Sequence, residues 1–172
     1  MRRLIVNVVF FVQKSGLYLS MFLALIMALH VTAEIVGRRF FNYPLPGTIE
    51  IVSYFYMVSV SFLPLGYSQA VGEHVSADAF MAVIPRKLRP HAEWLGKMLS
   101  VIICLILLWA TTQMAVQQTR LGEAVQSAYF DIPVWWTRWL VPLGLLSMVM
   151  VMLAQMFLPK EMQERQEPQR EF

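Results

Sequence analysis

Three side chains that can carry or share charge, His30, Glu34 and Arg38, recur at four-residue intervals near the end of a long apolar segment. Residues four apart share one face of an α-helix, so the three can form a ladder of polar contacts. Two interpretations follow from this spacing. Either the ladder neutralises itself at a helix end while Arg38 reaches toward the interface, or it presents a contact surface to an anionic or acidic partner.

A further acid, Glu50, follows a Pro- and Gly-rich connection and falls in the first turn of the next apolar segment. An ionisable group at membrane depth is a candidate for proton or ion transport. A helix start also stabilises an anion through the helix dipole, and Thr48 can cap this helix. We therefore expect Glu50 to be structural and to pair with Arg38 or Arg39.

The segment GEHVSAD at 72–78 holds a histidine and two acids, which makes a metal site conceivable. His74 and Asp78 supply two ligands where a stable site requires three or four, so we expect them to orient a surface helix. His30, His74 and His91 offer no obvious axial pair for haem. The sequence contains no nucleophile beside a base, no phosphate loop and no paired catalytic carboxylates. We expect neither a cofactor nor an enzymatic activity.

These residues belong to a chain of 172 residues, of which 58% are apolar and 15% are charged. This composition is typical of a membrane protein and leaves room for four spans of about 20 residues. We expect one all-α membrane domain, with a short interfacial helix between the second and third spans and a polar cytoplasmic tail at 159–172. Residues 4–12 either extend the first span or lie at the interface. The predicted spans are 15–36, 48–70, 93–117 and 133–158.

The distribution of basic residues predicts the orientation of the chain. With the N-terminus inside, ten of the 14 Lys and Arg residues lie in cytoplasmic segments. We therefore expect a multi-pass protein of the bacterial inner membrane with both termini in the cytoplasm. Because the basic residues cluster beside apolar runs, their expected partner is the lipid bilayer rather than nucleic acid. Arg38 and Arg39 lie on the outer side under this orientation, which is contrary to the excess of basic residues in cytoplasmic segments. Their presence there therefore requires an explanation.

Small residues recur at four-residue spacing in the third predicted span, at Gly96, Ser100 and Cys104. Such a stripe permits close helix packing. We expect it to lie inside the four-helix unit, and we expect the bulky faces of the first two spans to contact a partner. Because Cys104 is the only cysteine, the chain can form no intrachain disulfide.

Three motifs occur in order along the chain: IVGRRFFNYPLPGTIE at 35–50, GEHVSAD leading to IPRKLRP at 84–90, and DIPVWW at 131–136. Together with the four spans, they resemble the small membrane subunit, of the DctQ or SiaQ type, of tripartite ATP-independent periplasmic (TRAP) transporters. The resemblance covers nearly the whole chain. The family often has two acids in succession where this chain has Ile49 and Glu50.

The resemblance implies a non-catalytic subunit that scaffolds a large membrane subunit, which carries the substrate and sodium sites. It also implies a periplasmic substrate-binding protein that delivers an organic acid, such as a dicarboxylate or sialic acid. Two sets of site residues follow. The candidate contacts of the binding protein are Arg38, Arg39 and Asn42. The candidate structural or interface residues are Glu34, Glu50, His74 and Asp78.

Two other functions remain open from the residues alone. The chain could be a small autonomous transporter that works as a dimer, with Glu34 or Glu50 as its proton-coupled carboxylate. It could also be a haem-bearing membrane anchor of a redox complex. Against the first alternative, four spans enclose too little interior for a polar pathway, and the ionisable residues cluster at helix ends.

Overall fold

The computed structural model describes residues 2–43, 45–71, 89–127 and 131–158. Within these ranges, four helical segments are long and apolar enough to cross a membrane. The prediction of an all-α membrane fold with four spans is confirmed. The predicted interfacial helix and the polar tail lie outside the described residues. The four segments are Val6–Phe41, Thr48–Val71, Trp94–Leu121 and Trp135–Phe157.

The first helix, α1, is continuous over Arg2–Phe41. Forty helical residues measure about 60 Å, twice the apolar thickness of a bilayer. Residues 4–12 therefore extend the first span, which is one of the two interpretations that the sequence allowed. The side chains of Val6, Val9 and Phe10 are buried against the second and fourth spans. Burial of this apolar face explains why the helix continues to its N-terminus as part of the bundle.

The second span is built from several helical pieces. It begins as an α-helix over Thr48–Ile51, continues as a π-helix over Val52–Tyr56 and resumes as α-helices over Met57–Phe62 and Leu65–Val71. The break between the last two pieces coincides with Pro64, whose ring cannot continue a regular helix.

Pro64 also removes a backbone donor from the second span. Without an N–H at this position, the Val60 carbonyl four residues earlier loses its intrahelical partner. The Ser20 hydroxyl of α1 donates to that carbonyl at 3.3 Å. Inside a membrane no water can satisfy a free carbonyl, so this side chain from a neighbouring helix repairs the break.

Two glycines allow the helix backbones to approach closely. A Cβ atom at Gly16 would lie 2.5 Å from the Leu63 carbonyl oxygen, and a Cβ atom at Gly144 would overlap the Phe62 carbonyl oxygen. The first contact joins α1 to the second span, and the other joins the second span to the fourth. Gly16 and Gly144 are therefore among the small residues that pack the bundle.

The third helix spans Arg89–Leu121 and packs mainly against the fourth span. The expected stripe of small residues is only partly inside the bundle. Cys104 is buried, but Gly96 is exposed, and a Cβ atom there would meet nothing within 4 Å. The prediction that Gly96 packs within the unit was wrong, because that part of the helix has no close neighbour among the described residues.

The fourth span is the centre of the bundle and packs against each of the other three. It begins as a 3₁₀-helix over Trp135–Trp139 and continues as an α-helix over Leu140–Phe157. A two-stranded antiparallel hairpin precedes it, with strands Ala124–Gln126 and Asp131–Pro133. We expected Pro133 to begin the fourth helix, but it ends a strand and pairs with Ala124.

Candidate partner-contact site

One end of the bundle contains the end of α1, the start of the second span, the end of the third helix and the hairpin. We call it the Arg38 end. Phe55 of the second span packs against Trp136 of the fourth, with ring centroids 4.7 Å apart. The Trp139 indole N–H donates to the Thr119 hydroxyl of the third helix at 3.0 Å. These contacts hold the three later elements together at this end.

Glu34 and Arg38 form one rung of the predicted ladder. Nε of Arg38 donates to Oε1 of Glu34 at 2.9 Å, and Nη2 of the same arginine donates to the same oxygen. Glu34 is only 7% exposed, whereas the Arg38 side chain is 65% exposed. The arginine therefore compensates a buried carboxylate and still presents its outer surface at this end.

His30 contacts the second span through both ring nitrogens. Its Nδ1 lies 3.5 Å from the Tyr56 hydroxyl and its Nε2 lies 3.4 Å from the Thr48 hydroxyl. The Thr48 hydroxyl already donates to the Leu45 carbonyl at 3.0 Å, so it must accept from His30. A neutral imidazole protonated at Nε2 satisfies both contacts, with Tyr56 as the donor to Nδ1. The four-residue spacing predicted that His30 belongs to the ladder on α1. It gave no sign of these contacts with the second span.

Thr48 does not cap the second span as we expected. The residue at the cap position is Gly47, with a φ of 82° and no side-chain hydrogen bond to the helix. A left-handed conformation at the helix start suits a glycine, which has no Cβ to oppose it. Thr48 is instead the first helical residue, and its hydroxyl closes the preceding turn.

The expected ion pair between Glu50 and an arginine is not formed within the described residues. Arg38 pairs with Glu34, which lies one helical turn away on the same helix. Glu50 is half-buried in the first turn of its helix, and Arg39 is exposed. In the described part of the chain neither side chain has an ion-pair partner.

Asn42 ends α1 and turns the chain back. Its φ of 49° is left-handed, and the Tyr43 N–H donates to the Gly37 carbonyl at 3.1 Å. Asparagine tolerates this conformation better than most residues, which makes it a common helix stop. A Cβ atom at Gly37 would lie 2.9 Å from the Tyr43 carbonyl oxygen. Asn42 therefore has a backbone role, and its predicted contact with the binding protein remains a prediction.

A second ion pair fixes the hairpin to the fourth span. Arg138 donates from Nε to Glu123 Oε2 at 2.8 Å and from Nη2 to Oε1 at 2.6 Å. The Glu123 carbonyl accepts from the N–H groups of Val134 and Trp135 at 2.9 and 3.2 Å. Hydrogen bonds from Arg138 hold the pKa of the Glu123 carboxyl below its ordinary value. Because these partners are 15 residues apart and share no regular element, sequence spacing gave no signal for this pair.

Two of the predicted site residues, His74 and Asp78, lie outside the described residues. In the described ranges, no three His, Cys, Asp or Glu side chains come together in a way that could hold a metal ion. At the Arg38 end, Arg38 pairs with Glu34 and Arg138 pairs with Glu123, while Arg38 and Arg39 are both exposed at the end of α1. This arrangement suits recognition of an acidic surface.

The family described as tripartite ATP-independent periplasmic transporters, DctQ component, matches residues 27–159, more than three quarters of the chain. The chain belongs to the DctQ family. This match confirms the resemblance inferred from the three motifs and makes the protein the small membrane component of a TRAP transporter. DctQ proteins work in tripartite systems with a large membrane subunit and a substrate-binding protein. No curated protein and no solved structure matches this DctQ chain.

Proposed function

We propose that this DctQ chain is a non-catalytic scaffold of a sodium-driven TRAP transporter that takes up an organic acid. In this proposal it anchors the large membrane subunit and helps to dock the periplasmic substrate-binding protein. The observation that carries the proposal is the placement of its charges. The middle of each span contains no charged residue, while the adjacent arginines Arg38 and Arg39 are exposed at one end of α1.

The scaffold role is supported by the apolar interior of all four spans. No Asp, Glu, Lys or Arg occurs at 15–33, 51–71, 98–119 or 139–157. A pathway for an organic acid and sodium ions requires charged or carbonyl ligands near the middle of the membrane. The same distribution argues against an autonomous transporter, because Glu34 is paired with Arg38 at a helix end.

We infer that an exposed face of α1 contacts the large subunit. Tyr18, Phe22, Leu25 and Leu29 are all exposed and follow alternating steps of four and three residues. This is the spacing of a seam that packs along another helix. Bulky side chains at such spacing offer a continuous surface to a long helix of the partner subunit.

Replacement of one side chain on this face tests the assignment. We expect Leu25→Ala to weaken co-purification of the large subunit because it removes a side chain from the seam. The matched control is Ile106→Ala on the third helix, since Leu25 is 60% exposed and Ile106 is 61% exposed. Equal retention of the large subunit by both variants would exclude this face as the contact.

Docking of the binding protein is assigned to the Arg38 end. In this proposal the protein lies in a bacterial inner membrane with both termini cytoplasmic and the Arg38 end in the periplasm, as the count of basic residues favours. Arg38 and Arg39 are exposed, whereas Glu34 is buried and Glu50 is half-buried, so the exposed surface of this helix end is positive and complements an acidic surface. Such a contact supplies the reason for an arginine pair on the side that the charge rule disfavours.

The sharpest test is Arg39→Glu rather than Arg38→Glu. Reversal at position 38 would leave Glu34 buried beside a second anion and would perturb folding, whereas Arg39 has no ion pair in the described residues. We expect Arg39→Glu to raise the concentration of binding protein required for half-maximal uptake about tenfold, which corresponds to about 1.4 kcal/mol of docking free energy. Uptake is measured in vesicles with the complete transporter under a sodium gradient.

Arg120→Glu is the matched control, because Arg120 is an exposed arginine in the last turn of the third helix at the same end of the bundle. The same charge change there should leave the half-maximal concentration within about twofold, because it lies outside the proposed contact. An unchanged value for Arg39→Glu, or an equal rise for both variants, would remove the docking role. The scaffold role would stand in either case, since it depends on co-purification.

A further inference from the structure

Amide side chains join the second and fourth spans at the end of the bundle opposite Arg38. Nε2 of Gln69 donates to Oε1 of Gln155 at 3.1 Å, and Nε2 of Gln155 donates to the backbone carbonyl of Gln69 at 3.2 Å. This pair leaves one acceptor unused. Oε1 of Gln69 is buried and has no hydrogen-bond partner in the described part of the chain.

Gln13 of α1 is a more extreme case. The residue is 2% exposed, and neither its Oε1 nor its Nε2 has a hydrogen-bond partner among the described residues. Transfer of an amide out of water without a partner is strongly unfavourable, and the apolar interior of a membrane protein makes it more so. A glutamine buried at such a position requires a neighbouring group that can both donate and accept hydrogen bonds.

Neighbouring contacts indicate the level of Gln13 along the second span. One turn toward the Arg38 end, Gly16 lies close to the Leu63 carbonyl, and in the other direction Val6, Val9 and Phe10 of α1 share one cluster with Ala70. Because α1 and the second span are antiparallel, Gln13 lies level with the turn that precedes Ala70. A helical side chain leans toward the N-terminus of its own helix, so Gln13 leans toward the level of Gln69.

We propose that Gln13, Gln69 and Gln155 form a buried hydration site that binds ordered water between the first, second and fourth spans. The two unpaired oxygens need donors, and Nε2 of Gln13 needs an acceptor. Water supplies both functions, and buried waters typically bind several otherwise unpaired polar groups. A metal cation would suit the oxygens but would leave the N–H groups of Gln13 without an acceptor.

The site gives the long N-terminal part of α1 a polar attachment to the bundle. The apolar contacts of Val6, Val9 and Phe10 are not directional, whereas hydrogen bonds through water define the rotation of α1 about its axis. Rotation matters because the exposed face of α1 must point in one direction to meet a partner. The hydration site thus orients the first span.

A high-resolution cryo-EM map of the assembled transporter tests the proposal directly. We expect density for water at hydrogen-bond distance, about 3 Å, from the Gln13 amide and from Oε1 of Gln69. A map that resolves other buried waters and shows well-ordered glutamine side chains without this density would overturn the proposal.

Gln13→Met gives a second test, because its sign depends on hydration. In a hydrated site the substitution removes hydrogen bonds, so the temperature at which the DctQ chain dissociates from the purified complex should fall by several degrees. In a dry site it removes an unpaired buried amide, and that temperature should rise or stay the same, which contradicts the proposal. Gln117→Met on the exposed surface of the third helix is the control and should change nothing.

Discussion

The repair of the Pro64 break by Ser20 leads to a prediction with a built-in check. Ser20 is 5% exposed and donates to the Val60 carbonyl at 3.3 Å. Ser20→Ala deletes the donor and leaves that carbonyl without a partner in an apolar environment. Hydrogen bonds between membrane helices contribute about 0.6 to 2 kcal/mol, and this bond is long, so we expect a loss of about 1 kcal/mol. That loss lowers the folding equilibrium constant about fivefold.

The check is the same substitution in a Pro64→Ala background. Alanine restores the backbone N–H at position 64, which can bond the Val60 carbonyl within its own helix. Ser20→Ala should then cost almost nothing. Unfolding of the four variants in a denaturing detergent gives the double-mutant cycle, with Ser15→Ala on the exposed surface of α1 as a control. A cost that persists in the Pro64→Ala background would refute the assignment of Ser20 to the proline break.

Two further predictions concern packing and pH. Gly144→Ala should destabilise the subunit by about 1–3 kcal/mol because its Cβ would overlap the Phe62 carbonyl, whereas Gly96→Ala should not, and thermal melts of the two variants decide this. The Glu123 carboxyl has a folded-state pKa below its ordinary value of 4.5, so its ion pair stabilises the fold fully above pH 4.5. At pH 7 the melting temperature of the wild type should therefore exceed that of Glu123→Gln by an amount equivalent to about 1 kcal/mol of unfolding free energy. This difference should shrink as the pH falls through the folded-state pKa of Glu123. A difference that does not change with pH would contradict this.

The parts of the fold that were predicted correctly depend on long, local signals. Runs of about 20 apolar residues identify membrane spans whatever surrounds them, because the bilayer imposes their length. The Glu34 and Arg38 rung follows from a four-residue spacing that geometry fixes within one helix. Such features require no knowledge of which helices are neighbours.

The parts that were missed depend on which helices pack together. The hairpin before the fourth span has strands of three residues, too short for a period of two to be visible, and Glu123 is joined to Arg138 across 15 residues. The choice between Gly96 and Gly144 as packing glycines was also beyond the sequence. Both lie in apolar helices, but only Gly144 lies at a crossing with another backbone.

The motif at 35–50 illustrates how one segment can serve folding and recognition together. Gly37, Asn42 and Gly47 are explained by the turn: the first admits the returning chain, and the other two adopt left-handed conformations. A turn that reverses the chain within a few residues holds the last turn of α1 beside the start of the second span, so Arg38 and Arg39 are presented from a rigid helix end. A docking surface built on such a support loses little conformational freedom when a partner binds. We therefore expect that substitutions at the turn residues would impair both stability and docking, whereas Arg39→Glu would impair docking alone.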